Sequence, residues 1–147
     1  MSCDKASCLM CTSVGDNRLR EHGQLLIVGS CVRSRYPDIL EQYAAADGGY
    51  FVLEVCLEET HVNMAAYKIA SMVKYADIRR LAVLTIDGSP HCVQAHLAVQ
   101  DIKNHFIDGL EVRNYVIEKG KVYQISPESI KRARHLSKIE ASLSSTR

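Results

Sequence analysis

Short apolar runs alternate with stretches of helical periodicity along most of this chain. Gln24-Leu-Leu-Ile-Val-Gly29 is apolar at every inner position and too short for a helix, the pattern of a parallel strand buried on both faces. Pro37 suits a first helical turn, and Ile39, Leu40 and Tyr43 then fall on one helical face. Ala46-Asp-Gly-Gly49 breaks that helix. Residues 50–55 and 81–86 repeat the strand pattern. Between them residues 61–75 predict a helix with Met64, Ala65, Ile69, Met72 and Val73 as its buried stripe. Ser89-Pro90 supplies an N-cap and a proline at the first helical position, opening a helix to about Phe106. Residues 111–117 pair with 122–125 through a Glu118-Lys-Gly-Lys121 turn, and Ser126-Pro127-Glu128 launches a last helix. The serine-rich tail 142–147 is expected to fray.

Strands alternating with helices imply βαβ units and a mostly parallel sheet. The expected fold is therefore a three-layer, Rossmann-like α/β domain with a C-terminal β-hairpin and helix. Residues 21–147 form that single domain. Residues 1–20 are polar, lack periodicity and read as a cysteine-bearing N-terminal loop. Such a loop has little to bury, so it is expected to order only when a metal is bound.

Composition narrows the function. The chain has 147 residues, 47% hydrophobic and 24% charged, ordinary for a globular protein. Its longest apolar stretches are strand-sized, well short of the roughly 20 residues that span a bilayer. Asp4 and Lys5 stand where a secretory signal would need an apolar core, so a cytoplasmic location is expected. A net charge of +1 gives no field to attract nucleic acid or an acidic membrane. Six cysteines in a reducing compartment are more often metal ligands or redox groups than structural disulfides.

Their positions are informative. Cys31 follows the first strand, Cys56 ends the second and Cys92 lies just past the third, so all three thiols belong to the carboxyl edge where α/β sheets bind ligands. Cys3, Cys8 and Cys11 add a C-x4-C-x2-C array that could fold across that edge. The bland alternative makes each cysteine a small apolar filler. Zinc and iron–sulfur clusters both accept four thiolates. A structural zinc site usually pairs two C-x2-C knuckles, and only Cys8/Cys11 forms one here, which favours an iron–sulfur cluster, [2Fe–2S] or [4Fe–4S], with zinc as the alternative. Arg33 and Arg35, beside Cys31, would place positive charge near a thiolate-bound cluster and raise its potential.

The segments Cys8-Leu-Met-Cys11-Thr, Cys31-Val-Arg-Ser-Arg-Tyr-Pro37, Ala45-Ala-Asp-Gly48 and Val55-Cys56 together resemble the delta (iron–sulfur) subunit family of methyl-viologen-reducing hydrogenase. The resemblance spans about residues 8 to 105 in motif order. It implies a [2Fe–2S] cluster on Cys8, Cys11, Cys31 and Cys56, passing electrons between a hydrogenase and a partner reductase. Arg33 stands where that family has glycine, and Val55 where it has glycine before its cysteine. The partner expected is thus a redox protein or complex, with neither membrane nor nucleic acid involved.

Two rival readings use Cys92. Cys31-x3-Arg35 followed by Cys92 is similar to the zinc-ligand order of β-class carbonic anhydrases, but Arg33 replaces the aspartate and Ser89 the histidine of that pattern. His91 or Asp87 could then substitute as a zinc ligand. Alternatively, Cys92 sits in the first turn of its helix, where a thiol pKa is lowered, with His96 one turn on as a partner. His96 solvating its own helix face is the plainer reading. No G-x-G-x-x-G fingerprint supports a dinucleotide. Lys131, Arg132, Arg134, His135 and Lys138 read as a solvated basic face, and His61, five residues past Cys56, is the isolated histidine closest to the cysteines.

Overall fold

The computed structural model describes residues 7–45 and 49–146. Cys3 and most of the 46–49 turn lie outside those residues. The elements run α1 Asn17–His22, β1 Gln24–Gly29, α2 Ser30–Arg35, α3 Pro37–Ala45, β2 Phe51–Val55, α4 Val62–Tyr75, β3 Arg80–Ile86 and α5 Pro90–Asp101. A π-helical turn, Ile102–Phe106, extends α5, and β4 Glu111–Glu118, β5 Lys121–Ile125, α6 Pro127–Arg132 and α7 Leu136–Thr146 complete the chain.

The five strands form one sheet in the order β2-β1-β3-β4-β5, parallel except for the antiparallel β4–β5 hairpin. Lys119 and Gly120 both take positive φ at the hairpin tip, 51° and 80°, the combination that a tight two-residue turn requires. Helices cover both faces. Leu25 and Ile27 of β1, Leu53 and Val55 of β2, and Leu81 and Val83 of β3 pack against Ala65, Ile69, Met72 and Val73 of α4 and Ala95 and Val99 of α5. Leu26, Val28, Ala82 and Leu84 point the other way, against Val32 of α2 and Leu40 of α3. Strands β1 and β3 are largely apolar because both of their faces are covered.

Several expectations need correction. Residues 7–20 are not a loop with little to bury: Leu9 and Leu19 are both fully buried in the main core, and Met10 and Val14 pack against it. Asn17–His22 is helical, capped by the Asp16 carboxylate, which accepts from the Arg18 N–H, and ended by Gly23 at φ 67°. Met64 was expected in the α4 stripe but is 60% exposed, because the stripe turns inward only at Ala65, Ile69, Met72 and Val73. The helix begun at Pro127 breaks after Arg132, and the serine-rich tail is helical to Thr146. Among the described residues no helix is long and apolar enough to cross a membrane.

Candidate functional site

From β1 the chain moves outward to β2 and then back across to β3 on β1's other side. The connections leaving the carboxyl ends of β1 and β3 therefore part in opposite directions and open a crevice between them. A cavity of ≈ 230 Å³ lies there, lined by Gly29, Ser30 and Cys31 after β1, by Val55, Cys56 and Glu58 after β2, by Thr85 and Ile86 of β3, and by Ser89, His91 and Cys92 at the start of α5. Cys31, Cys56 and Cys92 thus come together as the strand positions foretold.

The thiols differ in environment. Cys31 is exposed, while Cys56 and Cys92 are half-buried. Burial pushes the Cys92 thiol above its ordinary pKa; the Ser89 hydroxyl pulls the other way, and the neighbouring Cys31 and Cys56 add to the rise. The direction is opposite to the lowered Cys92 pKa that its helix position led us to expect. The expected Cys92–His96 pairing is also overturned, as is a solvated His96. His96 is buried between β3 and β4, with Nε2 2.8 Å from Thr85 Oγ1 and Nδ1 2.8 Å from Asn114 Oδ1. The Asn114 oxygen only accepts, so Nδ1 carries the proton and donates to it, and Nε2 accepts from the Thr85 hydroxyl.

The N-terminal cysteines lie to one side. Cys8 is buried and pairs in parallel with Glu54, and Leu9 N–H donates to the Glu54 carbonyl at 2.9 Å, so this segment extends the sheet beyond β2. The C-x2-C turn closes with Cys11 N–H donating to Cys8 O at 3.3 Å, reinforced by Thr12 Oγ1 donating to the same oxygen at 2.7 Å. Cys8 and Cys11 do not line the cavity, and Cys11 is exposed. Arg33 reaches the buried Glu54 carboxylate, Nε to Oε1 at 2.9 Å, and so faces that carboxylate. The Arg35 guanidinium lies 5.7 Å from the centre of the Tyr36 ring. His61 is exposed at the N-cap of α4.

As placed, no three His, Cys, Asp or Glu side chains among the described residues approach closely enough to hold one ion. The three thiols ring a volume instead. A single zinc needs every sulfur about 2.3 Å from one point, whereas a cluster takes its thiolates at separate iron corners. The donor chemistry of the three thiols, lining one cavity, suits either group. A larger cleft, ≈ 1010 Å³ between α4 and α5, has no cysteine in its lining.

Sequence reasoning missed Glu58 and the Thr85–His96–Asn114 chain. A trace of the second was visible: Thr85 is a polar residue within the otherwise apolar run 81–86.

Over residues 17–147 the chain matches the family of Rossmann-like domains, in accord with the sheet order and the covered faces. It belongs to that family. No curated protein and no solved structure matches it. In this Rossmann-like domain the thiol cavity occupies the switch point of the sheet, the place where such folds bind their ligands.

Proposed function

We propose that this Rossmann-like domain holds an iron–sulfur cluster in the switch-point cavity and passes electrons to a partner redox protein. One observation carries the reading: Cys31, Cys56 and Cys92, delivered by three different strand ends, line a single cavity. When bound, the cluster would supply a one-electron store. The chain's own contribution is the ring of thiols, each of which gives up its proton on binding iron. Because burial favours the protonated form of Cys92, iron must displace a proton held more firmly there than at an exposed cysteine. Gly29, Val55 and Ile86 wall the cavity with backbone and apolar groups, limiting water near a reduced centre.

This placement differs from the ligand set that the hydrogenase delta-subunit resemblance implies. It keeps Cys31 and Cys56 and puts Cys92 where that resemblance has Cys8 and Cys11. A cytoplasmic partner such as a hydrogenase or reductase complex is in keeping with the resemblance.

The test is iron, acid-labile sulfide and the visible spectrum of protein purified without oxygen. Iron with stoichiometric sulfide and a brown chromophore, lost in Cys31→Ser, Cys56→Ser or Cys92→Ser but retained in Cys11→Ser, is the expected result. One zinc per chain without sulfide would overturn the electron-transfer reading and favour a zinc enzyme of the β-class carbonic anhydrase type. Metal-free protein after anaerobic reconstitution would overturn both.

A further inference from the structure

Two apolar surfaces of this chain lie uncovered, and they match each other. The first is the ≈ 1010 Å³ cleft between α4 and α5. Ala66, Ala70 and Ala98 are among the small side chains that line it, and the rings of Tyr67, Tyr75 and Phe106 stand exposed around it, Tyr67 by 78%. The second is one side of α7. Leu136, Ile139 and Leu143 recur there at helical spacing, yet Leu136 is 77% exposed, Leu143 is exposed and Ile139 is only half-buried. α7 packs chiefly on α6, and no α7 residue lines the cleft of its own chain. We propose that the chain forms a homodimer in which α7 of each copy lies in the α4–α5 cleft of the other, antiparallel to those two helices. The proposal is independent of the cluster reading.

The lengths agree. The cleft is lined by α4 from Val62 to Tyr75, about 21 Å of helix, and the 11 residues of α7 span about 16 Å. Charge selects the occupant and its direction. Right-handed crossovers from β2 to β3 and from β3 to β4 set α4 and α5 side by side on one face, both running against the strands. Lys74 of α4 and Asp101 of α5 therefore stand on opposite walls at the same end of the cleft. On α7, Lys138 and Glu140 flank Ile139, each turned about 100° from it, so they leave opposite sides of the apolar stripe. A helix seated with that stripe inward and running antiparallel to α4 and α5 sets Lys138 beside Asp101 and Glu140 beside Lys74. Its first turn then lies at the end of the cleft where those two charges stand. The parallel direction would oppose like charges instead. Lys74, Lys138 and Glu140 make no ion pair within the chain among the described residues, while Asp101 holds Arg134 through one carboxylate oxygen. Reciprocal exchange about a two-fold axis covers both clefts and both α7 stripes at once.

The experiment is light scattering and sedimentation equilibrium of the full 147-residue chain, from micromolar to near-millimolar concentration. A particle of twice the 16.4 kDa chain mass is expected. Tyr67→Asp and Leu143→Asp alter side chains exposed in the single chain, so each should keep the circular dichroism spectrum while raising the dimer dissociation constant about tenfold or more. Lys74→Glu and Glu140→Lys should each weaken the dimer, and the two combined should restore it, because the pair is then reversed across the interface. A monomer at every concentration overturns the proposal, including one whose protected α7 amides show the helix folded back onto its own cleft. A dimer that survives either aspartate variant places the interface elsewhere and overturns it as well. A dimer that the combined charge reversal fails to restore overturns the antiparallel seating.

Discussion

His96 is the buried titratable group whose surroundings are most completely defined, and it gives the sharpest prediction. Burial pushes its pKa below the ordinary value of 6.5, opposed by the Asn114 side chain and by the charge of Asp87. Folding therefore favours the neutral ring. Between the folded pKa and the unfolded value the unfolded chain binds more protons, so acid favours unfolding. The contribution is complete above about 6.5 and is lost as the pH falls toward the folded value. One proton taken up on unfolding corresponds to a slope of at most about 1.4 kcal/mol per pH unit. Urea unfolding followed by circular dichroism from about pH 7.5 to about pH 5.5 should show stability falling with that limit as its steepest slope. His96→Gln cannot take up the proton, so it should flatten this segment even where it lowers stability overall. Thr85→Val keeps the shape of the side chain but leaves Nε2 without its donor, and should cost about 1–3 kcal/mol at neutral pH. An unchanged slope in His96→Gln would refute the reasoning, because the proton uptake would then belong to another group.

Other expectations follow from the same geometry. Leu9→Ala should destabilise the fold by about 2–5 kcal/mol, measured by thermal or urea unfolding, since Leu9 is fully buried; a loss near zero would mean that the N-terminal segment is not anchored in the core. Arg33→Met takes a cation from Glu54, which is only 3% exposed against 48% for Arg33, and should cost about 1–2 kcal/mol, the exposed partner reducing the loss expected of a fully buried pair. In metal-free protein near neutral pH, mass spectrometry of iodoacetamide-treated samples should find Cys11 and Cys31 modified before Cys92, whose thiol is half-buried and held protonated. Cys92 reacting first would contradict the effect of burial on that thiol.

Much of the fold was legible because its signals are strong and local. The adjacent strands β1 and β3 are largely apolar runs, and Ser-Pro pairs opened α5 and α6 at the expected positions. Other features needed tertiary context. Ser30–Arg35 carries no helical stripe of its own and becomes a helix because Ser30 and Val32 are buried beside the sheet. Leu9 and Leu19 are single leucines in a polar segment, too sparse for a periodicity. Only the outer edge of β2 and the floor beneath α4 give them something to pack against. Met64 failed for the opposite reason: an apolar residue at plausible spacing sat one step off the inward face.

The cysteines were legible for a topological reason. In a parallel sheet every strand exits at the same edge, so a residue just after each strand lands on that edge whatever the distance along the chain. That rule placed Cys31, Cys56 and Cys92 together without any motif, and the cavity follows from the order β2-β1-β3. The same rule is silent on residues that precede the first strand. For those the C-x2-C spacing suggested a ligand pair; the structure bridges the Cys8 backbone to Glu54 and leaves Cys8 and Cys11 out of the cavity lining. It is equally silent on electrostatics. Burial raises the pKa of the half-buried Cys92 thiol, which its place in the sequence did not reveal. A thiol held protonated in this way is a poor nucleophile, yet it remains a competent ligand once a metal displaces its proton.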